Sequence, residues 1–489
     1  MKASRFDRYP VVLCLALLSL LAACGGGDNG GLFDGLNSDT KTIYAYSYAD
    51  NTHYPTTINK VGEGAHCYLY VEAGRTIDNS TRNELITGFD NLIYPRVTSF
   101  FGSEPNPGAD GDPKIYIVLL HIPQSPTSPT GVGGYFDPVN EYPRRGTNPF
   151  SPISNQKEMY FADIDDVRQD IPYALRTMAH EFQHMIHWEQ KDHLALGLTG
   201  SDDIWLNEAM SVAAEIYCYG IYPPRISIYA NSTGNALTLW SPQTDRRDYA
   251  KVAMWTQYII DRVSFAEVPD NNVFRKALHS TLVGQASIDN ALIGTGKTFV
   301  DVFVDWTIAN TISGINPVLS VAGHPEWSYR WSHYQGNAAS LSNLGNIFWA
   351  DNVTFAPLPR WSSTYALYTP LGGAAGGSVT WVPSATQTSA TLIDMGRGVL
   401  VPLVPNTQYD YLGEAFLCIR NASVLDTIGI VGDNVVSAAP AAGSLSRSRS
   451  VGRAIPMDVP PPPPGSGCGT LQLLENERRL RTPGIRVDF

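Results

Sequence analysis

The pattern His180-Glu181-Phe182-Gln183-His184 carries the residue types that could do metal chemistry. Residues four apart on a helix lie on one face about a turn apart, so the imidazoles of His180 and His184 can bind one metal ion. Glu181 projects beside that ion, where its carboxylate can take a proton from metal-activated water. The alternative is a pair of surface histidines on an amphipathic helix. The pattern therefore indicates a metal site with its own general base.

A catalytic tetrahedral site needs a third protein ligand and one open position. In the metzincin pattern the third ligand is a His six residues beyond His184, preceded by a Gly, but this chain has Gln190 and His187 at those two positions. An Asn-Glu-x-x-Ser string begins downstream at Asn207. It is similar to the string that supplies a carboxylate ligand in gluzincins such as thermolysin. The similarity makes Glu208 the third ligand.

The elements that must position these residues can be read from the hydrophobic periodicity. A helix is predicted over residues 172–191, with Pro172 suited to the first turn, and a second helix begins after Asp203 and carries Glu208. Aromatic and β-branched runs predict strands over residues 66–72, 114–120 and 158–163. The last of these directly precedes the motif helix, as an integral sheet edge would. Further helices are predicted over residues 81–101, 249–263, 272–282 and 299–312.

Residues beyond 314 have a different character. Short apolar runs alternate with Gly, Pro, Asn, Ser and Thr, which predicts a small antiparallel, sandwich-like β domain over residues 315–437. Residues 438–489 contain Arg-Ser repeats and five consecutive prolines, and are predicted to be a basic, disordered tail. The fold class predicted is α+β, with an N-terminal mixed sheet and a helical lobe forming a zincin-like catalytic domain over residues 42–314.

The N-terminus has the features of an export signal. Lys2, Arg5 and Arg8 precede an apolar run from residue 11 to residue 21, which is too short to cross a bilayer. Small residues then lead to Cys24, which resembles the lipobox of bacterial lipoproteins. We expect residues 1–24 to be a lipoprotein signal, residues 25–41 a flexible tether, and Cys24 a lipidated anchor in a bacterial membrane, with the outer membrane favoured. An ordinary cleaved signal peptide, giving an extracellular protein, is the alternative.

Composition limits the partners and the redox chemistry. The 489 residues carry a net charge of -12, which argues against nucleic-acid binding. Cys67, Cys218, Cys418 and Cys468 lack the paired spacing of a structural zinc site and would mature in an oxidising compartment. They are interpreted as disulfides or buried thiols, and three pairings remain open. The oligomeric state is not predicted.

Several strings together resemble the hyicolysin family of bacterial secreted metallopeptidases. They are the motif at residues 180–186, Trp205-Leu206-Asn207-Glu208, and Gly-Tyr-Phe-Asp at residues 134–137, within a similarity that spans residues 62–311. The resemblance implies one zinc ion bound by two His and one Glu, and endopeptidase activity on proteins or peptides. Thermolysin-like enzymes have an Asp four residues after the Glu ligand, where this chain has Val212. Glu215 is a possible substitute.

Two hypotheses complete the sequence-based account. Tyr249, at the start of a later helix, is the candidate donor to the oxyanion that forms during peptide hydrolysis. The competing function is a zincin-fold lipoprotein that acts as a binding or adhesion module without turnover. Glu181 argues against this alternative, because a module that only binds has no chemical need for a general base.

Overall fold

Over the residues that the structure describes, the chain folds around a seven-stranded mixed sheet, followed by helices and a β-rich region. The computed structural model describes residues 39–125, 131–144, 149–240, 246–263, 272–312, 324–330, 346–347, 352–355, 358–368, 375–383, 388–422, 434–440 and 467–480. The strands of the main sheet are β1 (Thr40–Ser47), β2 (Thr52–Glu63), β3 (Cys67–Glu72), β4 (Ile115–Leu120), β5 (Val132–Phe136), β6 (Met159–Asp163) and, near the C-terminus, β16 (Gly467–Cys468). The predicted mixed α and β architecture is confirmed.

The order of strands in this sheet is β1-β2-β3-β4-β6-β5-β16. Strands β3, β4 and β6 are parallel, whereas β5 is antiparallel to β6. All six residues of β4 are buried, as expected for a central strand covered on both faces. The prediction that strand 158–163 forms the sheet edge is wrong. Strand β6 is interior, because β5 adds outside it and β16 adds outside β5.

The predicted motif helix and ligand helix are both present. Helix α4 (Ile171–His187) begins at Asp170, whose side chain accepts a hydrogen bond from the backbone N–H of Tyr173. It continues as a π-helix over Trp188–Ala195. Helix α5 (Ile204–Tyr219) packs beside α4, and α4 packs on β5 and β6. The other helices of the lobe are α1 (Asn79–Gly88), α2 (Tyr94–Phe101), α3 (Ile164–Gln169), α6 (Pro223–Asn231), α7 (Arg246–Arg262), α8 (Val273–Leu278), α9 (Gly284–Ala291) and α10 (Phe299–Ile312).

The β-rich region consists of two sheets with apolar side chains packed between them. Their described strands are β7 (Asn346–Ile347), β8 (Asn352–Phe355), β9 (Ser362–Tyr368), β10 (Gly376–Pro383), β11 (Thr388–Asp394), β12 (Val399–Pro402), β13 (Gln408–Leu412), β14 (Ala415–Asn421) and β15 (Asn434–Pro440). One sheet has the order β13-β10-β15-β8 and the other β12-β11-β14-β9-β7. Arg420 donates to Thr307 of α10 over 3.0 Å, so this region packs against the helical lobe. The domain boundary at residue 314 stays a prediction.

The prediction of a disordered tail over residues 438–489 is wrong for the part of it that the structure describes. Residues 438–440 belong to β15, residues 467–468 form β16, and α11 (Thr470–Leu480) follows. Helix α11 buries Leu473, and its Arg479 pairs with Glu475 one turn away. The prediction of disorder rested on the proline run and the excess of arginine in the tail, and it overlooked the short amphipathic pattern of α11.

The four cysteines of the described residues are free thiols, so no disulfide joins them. Cys67, Cys218 and Cys418 are buried, in agreement with the buried-thiol interpretation. The signal segment and Cys24 lie outside the described residues. Residues 40 and 41, predicted as the end of the tether, belong to β1. Among the helices of the described residues, none has the length and apolar character needed to span a membrane.

Candidate metal centre

Helices α4 and α5 bring the two predicted imidazoles and the predicted carboxylate together. His180 Nε2 lies 3.2 Å from Glu208 Oε2, and His184 Nε2 lies 3.6 Å from Glu208 Oε1. The side chain of Cys468 joins them, and one ligand atom from each of these four residues lies within 4.8 Å of the other three. Three of the four members of this cluster are therefore the predicted ligands His180, His184 and Glu208, and the fourth, Cys468, was not predicted.

The donor atoms of this cluster fit a divalent metal ion. His180 Nε2 and both carboxylate oxygens of Glu208 are buried and make no hydrogen bond to any described residue. Unpaired buried polar atoms are costly, and here they belong to residues whose ligand atoms converge on one point. Imidazole nitrogen, carboxylate oxygen and thiolate sulfur are the donors that zinc takes in proteins. The residues present fit a zinc ion.

Glu215 supports His180 from behind. Its Oε1 lies 2.8 Å from His180 Nδ1, so the imidazole turns Nε2 toward the cluster. The guanidinium of Arg225 makes two hydrogen bonds to the same carboxylate, over 2.8 and 3.0 Å. Burial acts to raise the pKa of Glu215, but the charge of Arg225 and the hydrogen bond from His180 lower it to about 2. Glu215, predicted as a possible substitute for an Asp at position 212, thus contacts the His180 ring.

His184 is oriented by groups on the same helix that carries Glu208. Its Nδ1 lies 2.8 Å from Asn207 Oδ1 and 3.1 Å from Ser211 Oγ. The Ser211 hydroxyl donates to Gln183 Oε1 over 2.5 Å. Because Nδ1 faces these groups, Nε2 faces the cluster. Asn207 and Ser211, which flank Glu208 in the Asn-Glu-x-x-Ser string, therefore both hold the His184 ring in place.

We expect Glu215→Gln to weaken zinc binding by about 10- to 100-fold, the usual effect of losing a group that orients a ligand histidine. The measurement is competition for zinc with a chromophoric chelator. Glu189→Gln is the matched control, because Glu189 also pairs with a histidine, His193, over 2.7 Å, but on the π-helix away from the cluster. Equal zinc affinity in wild type and Glu215→Gln would contradict this role.

Glu181 lies beside the cluster with 1 % of its surface exposed. Burial raises the pKa of its carboxyl to about 7, and the neighbouring His180 ring and the hydrogen bond from Thr470 act against that rise. Strand β5 passes close by. A Cβ at Gly134 would come within 2.6 Å of Thr177 Cγ2 and 3.2 Å of Glu181 Cγ, so only glycine allows this approach. The Glu181 side chain thus lies between the motif helix and strand β5.

Cys468 and Thr470 are functional-site residues that the sequence analysis missed. Cys468 Sγ lies 3.3 Å from His184 Nε2 and 3.7 Å from Glu181 Oε2, and the Thr470 hydroxyl donates to Glu181 Oε2 over 2.6 Å. Burial raises the pKa of the Cys468 thiol above its ordinary range. One signal was available. A lone Gly-Cys-Gly-Thr string precedes an 11-residue helix pattern, but both lie nearly three hundred residues from the motif.

Tyr249, the predicted oxyanion donor, lies at the border of the centre. Its hydroxyl accepts a hydrogen bond from the backbone N–H of Cys468 over 3.2 Å, and its ring centroid is 6.4 Å from that of His180. Burial raises the pKa of its phenol well above the usual value, so the hydroxyl remains a donor. His187 is not part of the cluster. It is buried, with Nε2 3.5 Å from Asp202 Oδ2, in agreement with a packed histidine.

Comparison with known proteins gives an independent indication of the class of protein. The chain is 27 % identical over 268 residues to the neutral metalloprotease ShpI of Staphylococcus hyicus. The likeness supports a metallopeptidase. It covers 52 % of this chain and 58 % of that relative, so the chain spans less than two thirds of the relative's length. No protein-family model matches the chain.

Proposed function

We propose that this protein is a zinc-dependent endopeptidase that hydrolyses peptide bonds in proteins. The observation that carries the proposal is the convergence of His180, His184 and Glu208, with the carboxylate of Glu181 beside them. The first three residues would hold the ion. Bound zinc supplies Lewis-acid activation of water and of the scissile carbonyl. The similarity to a neutral metalloprotease supports the same reaction class.

Glu181 is the general base of the proposed reaction. A buried carboxylate next to the motif histidines accepts the proton of the attacking water and returns it to the leaving amine nitrogen. Its burial removes competing solvent and raises the pKa of the carboxyl, which favours proton transfer by this group. Tyr249 is the proposed donor to the oxyanion, because its hydroxyl lies 3.2 Å from the backbone nitrogen of Cys468, a member of the cluster, and burial raises its pKa so that it keeps its proton.

The substrate binds as an extended chain along β5 in this proposal. Without β16, β5 is the outer strand of the sheet and presents unpaired backbone groups next to Glu181. Adding a strand to such an edge is a general way to hold a peptide. We further propose that the protein is exported and held at a bacterial membrane, with the outer membrane favoured, through a lipidated Cys24, and that residues 42–314 form the catalytic domain.

Zinc content and chelator sensitivity test the function together. We expect elemental analysis of the purified chain to find one zinc ion per chain, and casein hydrolysis to stop with a chelator and return when zinc is restored. Because the thiol of Cys468 lies within the metal cluster and could compete with substrate there, hydrolysis is measured for the wild type and for Cys468→Ala. Retained zinc without hydrolysis by either protein would contradict the peptidase and favour a binding module.

A further inference from the structure

The C-terminal segment Gly467–Leu480, here called the capping segment, covers the outer edge of the main sheet. Strand β16 pairs in parallel with β5, with Gly467 opposite Val132 and Cys468 opposite Gly134. The N–H of Gly469 donates to the carbonyl of Gly134 over 2.9 Å. An extended peptide that adds to a sheet edge uses the same backbone groups. The capping segment therefore occupies the edge that the proposed function assigns to the substrate.

The thiol of the capping segment points into the metal centre. Cys468 Sγ is a member of the four-residue cluster, at 3.3 Å from His184 Nε2. The buried His180 Nε2 and Glu208 oxygens, which make no hydrogen bond to the described residues, face the same space. With a zinc ion bound, sulfur would be the fourth donor beside two imidazoles and one carboxylate, and four protein ligands are typical of a closed zinc site. A catalytic site needs the fourth position open, so Cys468 stands where water and substrate must enter.

The same segment engages both other groups of the proposed chemistry. The Thr470 hydroxyl donates to Glu181 Oε2 over 2.6 Å, so one carboxylate oxygen of the base is already paired. The backbone N–H of Cys468 donates to the hydroxyl of Tyr249 over 3.2 Å. The metal position, the base and the oxyanion donor are thus all contacted by two residues of one segment, Cys468 and Thr470.

Further contacts anchor the capping segment to the catalytic domain. The backbone N–H of Phe136 donates to Thr470 Oγ1 over 2.7 Å, and Tyr142 donates to Glu477. Leu473 is 1 % exposed and packs with the apolar residues on one face of the main sheet. Gly469 lies so close to the catalytic domain that an added Cβ would come within 2.0 Å of the Tyr48 hydroxyl oxygen. The contact between the capping segment and the domain therefore requires glycine at position 469, next to Cys468.

We propose that the capping segment is a built-in inhibitor that keeps the enzyme latent by binding Cys468 Sγ to the metal ion and by filling the substrate edge of β5. This inference rests on the proposed function. Sulfur binds as the thiolate, and its proton is released to solvent when the metal ion binds. Activity then requires that the segment leaves the edge and that water replaces sulfur at the metal.

Cobalt substitution tests the sulfur contact without relying on activity. We expect Co²⁺-loaded wild-type protein to show a near-ultraviolet sulfur-to-metal charge-transfer band, and expect Cys468→Ala to lose it. Cys218→Ala is the matched control, because Cys218 is buried in α5 and its thiol is not in the cluster. A wild-type spectrum without the band, or a band that survives in Cys468→Ala, would overturn the inference.

Casein hydrolysis by the zinc-loaded full-length variants tests latency. We expect Cys468→Ala to hydrolyse at least about tenfold faster than wild type, since a tethered ligand competes at millimolar effective concentration. Gly469→Ala keeps the thiol but removes the space at Tyr48, and we expect it to raise hydrolysis and weaken the cobalt band. Gly234→Ala, where no atom lies within 4 Å of the added Cβ, should do neither.

The outcomes separate the inference from the proposed function. Equal hydrolysis by wild type, Cys468→Ala and Gly469→Ala, all at a measurable rate, would overturn the inhibitory role and leave the peptidase standing. A cobalt band that depends on Cys468, together with no hydrolysis by any variant, would support the sulfur contact and overturn the peptidase.

Discussion

Replacing Glu181 with Gln is expected to lower kcat/KM for casein or a peptide by about 10²- to 10⁴-fold, the range for loss of a general base. The amide keeps the size of the carboxyl but cannot accept the proton of the attacking water. Since Glu181 lies beside the ligands rather than among the four donors of the cluster, bound zinc should remain at one ion per chain. The assay is made in the Cys468→Ala background, where the thiol no longer competes for the metal.

The matched control for this prediction is Glu189→Gln. Glu189 lies on the π-helix that continues α4 and pairs with His193, so it tests the loss of a helix carboxylate without touching the centre. We expect its hydrolysis to be unchanged. If Glu181→Gln hydrolyses as fast as the control while holding the same amount of zinc, Glu181 is not the base.

Glu208→Ala is expected to lower zinc affinity by more than about 100-fold, beyond the range for groups that only orient a ligand. The change removes a buried carboxylate whose two oxygens lack hydrogen bonds to the described residues, so little apart from metal binding depends on it. Hydrolysis should fall in parallel, because the ion that activates water is lost. The measurement is zinc competition, with thermal unfolding in chelator as the check on folding.

A comparison with Glu215→Gln makes the Glu208 prediction sharper. Glu215 contacts His180 Nδ1 and Arg225 rather than the space between the ligand atoms. We therefore expect the order wild type, Glu215→Gln, Glu208→Ala for decreasing zinc affinity. The reverse order, or equal affinity in wild type and Glu208→Ala, would show that Glu208 is not a ligand.

The parts of the centre that follow from helical periodicity could be predicted from the sequence. His180, Glu181 and His184 lie within about one turn of a single helix, so local rules bring them close. Glu208 was predicted from the similarity of its string to that of gluzincins. The role of Glu215 could be predicted only in part, as a possible partner of a ligand histidine. Its reach to His180 depends on how α5 packs on α4, which no local pattern fixes.

Other features could not be predicted because they arise from contacts between distant segments. Strand β5 has two adjacent glycines, which lower its β propensity, and Gly134 is explained only by the closeness of Glu181 and Thr177. Cys468 approaches His184 through a parallel pairing between residues more than three hundred positions apart. The composition of the tail suggested disorder, and the buried Leu473 shows where tertiary packing overrides that tendency.

An anomalous-difference map, from crystals of the full-length protein measured on both sides of the zinc absorption edge, tests the central claim most directly. We predict one zinc peak, with His180 Nε2, His184 Nε2 and a Glu208 oxygen at about 2.0–2.2 Å. A crystal of protein with one zinc per chain but no peak between these three side chains would contradict the metal centre and the proposed enzyme with it.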